Sequence, residues 1–170
     1  MTVTGPVPVL VAALGNPDCG DDGVGPAAAA RLRGRAPPAA RIVACGGDVL
    51  ALIEEWRDFA DVILVDAAAT PFGRPGRIHR LDLALQPPSD GDADAAAAAA
   101  LAHPSTHMLG LAEAVALARQ LGRLPRRLVA YLVEGECFAV GAPLSPAVAA
   151  AVDIVADRIL GELCRIASGG

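Results

Sequence analysis

Asp18, Asp21 and Asp22 crowd one glycine-rich turn, Gly15-Asn16-Pro17-Asp18-Cys19-Gly20-Asp21-Asp22-Gly23-Val24-Gly25-Pro26. Like charges this close repel unless solvent, a helix N-terminus or a cation offsets them. The turn is therefore a candidate site. Asp66 closes the apolar run Val62-Ile63-Leu64-Val65, and His107 opens a later helical stretch. Two carboxylates and an imidazole suit a borderline divalent ion and leave coordination positions open. Such an ion polarises a carbonyl while a carboxylate draws a proton from water. Asp22 is the candidate base, because Asp18 and Asp21 beside it would raise its proton affinity. The residues alone do not separate base from ligand.

Each of these side chains also has a plain structural reading. Asp22 could cap a helix, Asp66 could cap the turn after its strand, and His107 could bind a backbone carbonyl. His79 (mid-strand) and His103 (before Pro104) are weaker candidates. Cys19 sits among acids that disfavour a thiolate, and nothing in the chain suggests a serine or cysteine nucleophile. A phosphate cradle is a poor fit. The turn's aspartates would repel phosphate, and no Gly-Lys-Ser/Thr or G-x-G-x-x-G spacing is present.

The elements that must position these residues follow from the apolar pattern. Strands are expected at residues 7–14, 41–45, 62–66, 76–83 and 127–134. The first, third and fifth are continuous apolar runs, as in strands covered on both faces. Helices are expected at residues 25–33, 49–58, 106–121 and 145–166. Pro26 starts the first, and Leu50, Ile53 and Trp56 or Arg57 mark the second. Met108, Leu111, Val115 and Ala118 line the third, which stops at Gly122. Ser145 caps the last, which presents Val148, Val152, Val155, Ile159 and Leu163. The alternation implies a three-layer α/β sandwich with a largely parallel sheet. Only residues 67–75 separate the third and fourth strands, too few for a helical crossover, so these two are expected to pair antiparallel. Residues 86–102 read as a surface loop.

The chain of 170 residues is long enough for one domain spanning residues 1–170, and its 54% hydrophobic content supports a core built from small aliphatic side chains. A net charge of −5 without a basic block argues against nucleic acid. No apolar run is long enough for a membrane span, and no leader is evident at Met1-Thr2-Val3-Thr4. Cys19, Cys45, Cys137 and Cys164 form no C-x-x-C pair, which fits reduced thiols in a cytoplasmic protein. No apolar helix is left over for self-association, so a monomer is expected.

Several segments in order resemble the nickel–iron hydrogenase maturation endopeptidases. They are Leu14-Gly15-Asn16-Pro17 with Asp21-Asp22-Gly23-Val24-Gly25, Val65-Asp66-Ala67, and Ser105-Thr106-His107-Met108-Leu109-Gly110. Val133-Glu134-Gly135-Glu136, Phe138 and Gly141-Ala142-Pro143-Leu144-Ser145-Pro146 continue the series. The resemblance implies a compact α/β sandwich with a twisted five-stranded sheet. It also implies removal of a C-terminal extension from the hydrogenase large-subunit precursor after nickel insertion. Metal contact would fall to Asp22, Asp66 and His107, with nickel supplied by the precursor and no organic cofactor. The turn acid is often Glu in the family, and Gly46-Gly47-Asp48 departs from its usual glycine-rich loop, leaving open whether Asp48 contacts substrate. The alternatives are a non-proteolytic checkpoint that binds the loaded precursor, or a metal-assisted hydrolase of another substrate.

Overall fold

The computed structural model describes residues 8–69, 73–84 and 106–168, with the side chains of residues 106–110 excepted. Strand β1 (Val9–Leu14) leads through the 3-10 turn Gly20–Gly23 into helix α1 (Val24–Leu32). Then come β2 (Ala40–Cys45), α2 (Val49–Trp56), β3 (Asp61–Ala69) and β4 (Ile78–Asp82). Helix α3 (Thr106–Gln120), β5 (Arg127–Gly135) and α4 (Pro146–Ala167) follow. The five strands form one sheet in the order β2-β1-β3-β5-β4. All pairs are parallel except β4 with β5.

The three apolar runs are the three central strands, because only strands with helices on both faces need apolar residues at every position. Val11, Ile63 and Val129 face α1 and α4, while Leu10, Leu64 and Leu128 face α2 and α3. This three-layer α/β sandwich agrees with the expected fold class. The expected α4 face, from Val148 to Leu163, is buried throughout. Gly122 stops α3 with a left-handed φ of +65°, and Arg123 N–H bonds Ala118 O at 2.8 Å to close the helix end.

Two expectations need correction. β4 does not pair with β3: β5 lies between them, and the antiparallel partner of β4 is β5. The short 67–75 connection does exclude a helical crossover, but it carries the chain past one strand position to the sheet edge. In α2 the buried face is Leu52, Ile53 and Trp56, and Leu50 is exposed. The expected loop at residues 86–102 and the candidate His103 lie outside the described residues.

One close approach fixes α1 on the sheet. A Cβ at Gly25 would stand 2.1 Å from Leu14 O and 2.9 Å from Val65 O, both of them backbone atoms. Only glycine lets the first turn of α1 rest on the ends of β1 and β3. Gly25→Ala is therefore expected to destabilise the fold by about 1–3 kcal/mol, as overpacking against fixed backbone does. Urea unfolding measures this, and an unchanged midpoint would show that α1 can move away from the strands at no cost.

Candidate active site

The polar residues meet at the carboxyl edge of the sheet, between β1 and β3. From β1 the chain runs through α1 to β2 on one side, and from β2 it returns through α2 to β3 on the other. Because α1 and α2 cover opposite faces, a crevice opens where the connections diverge, the usual ligand position in such sheets.

Asp66 lies within β3, which runs on to Ala69, and so does not end its strand as expected. The pairing of β1 with β3 stops at Ala13 and Val65, however, so Asp66 is the first β3 residue beyond the β1 ladder. Its side chain shares the face of Leu64 and Ala68, beneath α2 and α3, and it is fully buried. One oxygen, Oδ1, accepts the N–H of Ala67 at 2.8 Å. The other, Oδ2, is buried without a hydrogen-bond partner among the described residues. Burial pushes the carboxyl group up to about 7; the Ala67 N–H opposes that rise and the charge of Asp22 adds to it. A small cavity of about 20 Å³ adjoins it, lined by Leu14, Gly46, Gly47, Asp48, Leu52 and Leu111 among others. That is room for about one water molecule.

Asp22 comes from the 3-10 turn and is almost completely buried. Its Oδ2 accepts the N–H of Asn16 at 2.7 Å. Gly15 makes this possible: its φ is +112°, and a Cβ there would stand 2.0 Å from the Asp22 carbonyl oxygen. His107 is the second residue of α3, the helix that packs on the Asp66 face. Its side chain lies outside the described residues. Among the described residues, no group of three His, Cys, Asp or Glu side chains gathers to hold a metal. What the structure brings together is the Asp22–Asp66 pair.

The neighbouring acids prove unequal. Asp21 points away from this pair and accepts hydrogen bonds from Glu136 N, Cys137 N, Ser145 N and Ser145 Oγ. Burial would raise its proton affinity, but the backbone donors win and hold its carboxyl below the usual range. The carboxyl that the structure holds near neutrality is Asp66. Ser145 occupies the N-cap position of α4, but its hydroxyl serves Asp21 and makes no cap bond.

Asp48 caps α2, accepting from Leu50 N at 2.9 Å and Ala51 N at 3.1 Å. His79 Nε2 stands 2.6 Å from Glu134 Oε1, and the Arg74 N–H also binds Glu134. That cluster ties β4 and its approach to β5. Cys19, Cys45, Cys137 and Cys164 are free. A larger cavity, about 630 Å³, opens among Arg80, Arg127, Glu162 and Arg165. It lies where β5 begins, away from the aspartate pair. There Arg80 and the Tyr131 hydroxyl, each at 2.5 Å, bind buried Glu162. Burial and the Glu162 charge push Tyr131 up to about 12. That network is complete in itself and explains why those polar groups can be buried.

Comparison with known proteins adds the family. No curated protein matches the sequence significantly. Among solved structures, the hydrogenase maturating endopeptidase HybD from Escherichia coli superposes with a TM-score of 0.76 at 23% identity, over 94% of this chain and 93% of that one. The hydrogenase 2 maturation peptidase from Thaumarchaeota archaeon SCGC_AB-539-E09 does so with a TM-score of 0.64 at 27% identity, over 92% and 97%. The [NiFe] hydrogenase maturation protease HybD from Thermococcus kodakarensis gives 0.66 at 21% identity, over 90% and 97%. The family model described as hydrogenase maturation protease matches residues 28–162, a stretch that includes Asp66 and His107. With the sequence matched over most of its length and the fold shared, the chain belongs to the hydrogenase maturation protease family and is a peptidase.

Proposed function

We propose that this peptidase removes the C-terminal extension of a nickel–iron hydrogenase large-subunit precursor once nickel is in place, and that Asp22, Asp66 and His107 meet that nickel. The observation that carries this reading is the unpartnered, buried oxygen of Asp66 beside Asp22 at the sheet's carboxyl edge. Native structures rarely leave such an atom unsatisfied, and a site that awaits a ligand is one physical reason to do so.

The nickel is part of the substrate. It supplies Lewis acidity at the scissile carbonyl and fixes where the precursor sits. Water attacks the carbonyl carbon and gives up a proton to a carboxylate. The C–N bond then breaks and the departing amine takes a proton. A carboxyl poised near pH 7 suits such exchange at neutral pH. On this reading the enzyme acts in the cytoplasm, where its precursor is assembled; among the described residues no helix is long and apolar enough to cross a membrane. A monomer acting alone on the precursor, without an organic cofactor, completes the reading.

Purified protein incubated with nickel-loaded precursor is expected to release a C-terminal peptide, seen as a mass loss. Nickel-free precursor is expected to stay intact. Asp22→Asn and Asp66→Asn are each expected to slow cleavage at least about a hundredfold, the scale of a lost acid–base or ligand group. Binding of a cognate loaded precursor without any cleavage would replace the peptidase reading with a checkpoint. Cleavage that ignores nickel would remove the gate.

The proton on Asp66 has its own consequence. The folded group releases it at about 7 and the unfolded group near the ordinary carboxyl value of 3.8. Between those values only the folded state holds the proton, so stability falls as pH rises from about 4 to about 7 and levels off above. Measured as unfolding free energy, wild type is expected to lose ground to Asp66→Asn across that interval. A constant difference between the two proteins would show that Asp66 is already ionised in the fold.

A further inference from the structure

Two successive carboxylates in one turn do different work. Asp21 is fully buried, and its carboxylate accepts four hydrogen bonds, three on Oδ2 and one on Oδ1. Its Oδ2 takes Glu136 N at 2.9 Å, Cys137 N at 3.0 Å and Ser145 Oγ at 3.0 Å, and its Oδ1 takes Ser145 N at 2.6 Å. Backbone bonds reinforce the attachment: Asp21 N to Cys137 O at 2.7 Å, Gly20 N to Ala142 O at 3.1 Å and Gly141 N to Asp18 O at 2.7 Å. The turn is thus fastened along one side to residues 136–145, more than a hundred positions away in sequence. The next residue, Asp22, faces the opposite way and holds Asn16 N.

Asp21 is engaged as a structural acceptor. A carboxylate accepts about four hydrogen bonds in all, and Asp21 receives four, drawing on both oxygens. Asparagine could not replace it. It has one acceptor oxygen where two accept, and its NH₂ would face N–H donors. The position therefore requires a carboxylate for its acceptors alone.

We infer that Asp21 is a positioning residue of the peptidase: by binding the amides of Glu136, Cys137 and Ser145, it fixes the turn so that the Asp22 carboxylate is held beside Asp66. This rests on the reading that Asp22 and Asp66 act on the substrate. Orientation of this kind shows in the chemical step more than in substrate binding, since a small misplacement of a reacting group costs rate.

The test uses Asp21→Asn, the milder Ser145→Ala, and Val155→Ala. The last opens a cavity in the α4 core, lowering stability without touching the turn. The local readout is hydrogen exchange at the Asn16 amide, which is protected by the Asp22 carboxylate itself. The functional readout is kcat and KM on nickel-loaded precursor. Asp21→Asn is expected to speed Asn16 exchange roughly tenfold or more. Its kcat is expected to fall roughly tenfold to a hundredfold with KM changed by less than about twofold. Ser145→Ala moves the same quantities less, and Val155→Ala leaves Asn16 exchange and kcat as in wild type. Retained Asn16 protection in Asp21→Asn, or an equal kcat loss in Val155→Ala, would overturn the inference. If Asp21→Asn does not fold, Ser145→Ala decides: faster Asn16 exchange supports the clamp and unchanged exchange overturns it. If wild type fails to cleave the precursor, the functional reading falls, and Asn16 exchange still decides whether Asp21 holds Asp22.

Discussion

A carboxyl group buried inside a largely parallel sheet is the constraint around which the carboxyl edge of this molecule is arranged. Ionised, Asp66 would carry a desolvation cost of several kcal/mol with a single backbone N–H to offset it. It meets that cost by keeping a proton to about pH 7. The register of the sheet creates the situation. Pairing between β1 and β3 stops one residue short of Asp66, whereas β5 accompanies β3 to its end. Asp66 thus has a strand on one side and the β1–α1 turn on the other. That turn brings Asp22, whose charge makes Asp66 harder to ionise. Leu14, Leu52 and Leu111 line the small cavity beside it, and such apolar walls strengthen any electrostatic contact made there.

Backbone proximity holds the arrangement as much as side-chain packing does. Gly25 rests α1 on Leu14 and Val65, and Gly15 lets the chain pass against the Asp22 carbonyl. These contacts set the height of the turn above the strand ends. The Asp21 bonds set its rotation. Small residues and a committed carboxylate therefore do the positioning, while Asp22 and Asp66 stay buried beside each other.

Much of this could be read from the chain because the signals were local. Unbroken apolar runs gave β1, β3 and β5 away as central strands, and the periodic valines and isoleucine of α4 marked its buried face. The aspartates at the ends of apolar runs likewise pointed to the carboxyl edge. What stayed hidden depended on partners distant in sequence. Nothing within residues 67–83 says that β5, not yet reached by the chain, will slot between β3 and β4. Leu50 has helical spacing with Ile53, yet α2 turns Leu52 inward in its place. Asp21 and Asp22 are identical neighbours, and only donors 115 to 124 residues away separate the clamp from the candidate ligand. Ser145 similarly looks like a helix cap until Asp21 claims its hydroxyl.

The proposed use of the site follows from its incompleteness. Asp22 comes from a turn, Asp66 from a strand and His107 from the start of a helix, so no short segment chelates a metal alone. A free ion arriving here must displace the proton of Asp66 and give up its own hydration for few protein donors. An ion already held in a precursor faces a smaller loss. Its remaining ligands travel with it, and surface contacts between the proteins make the final coordination effectively intramolecular. Weak affinity for free metal is then compatible with selective engagement of a loaded protein. On the proposed reading the same weakness would provide the gate: an empty precursor would lack the group that satisfies the buried oxygen of Asp66 and aligns the peptide bond. Tightening the site for free metal would weaken that discrimination, because a resident ion could bridge to unloaded chains as well.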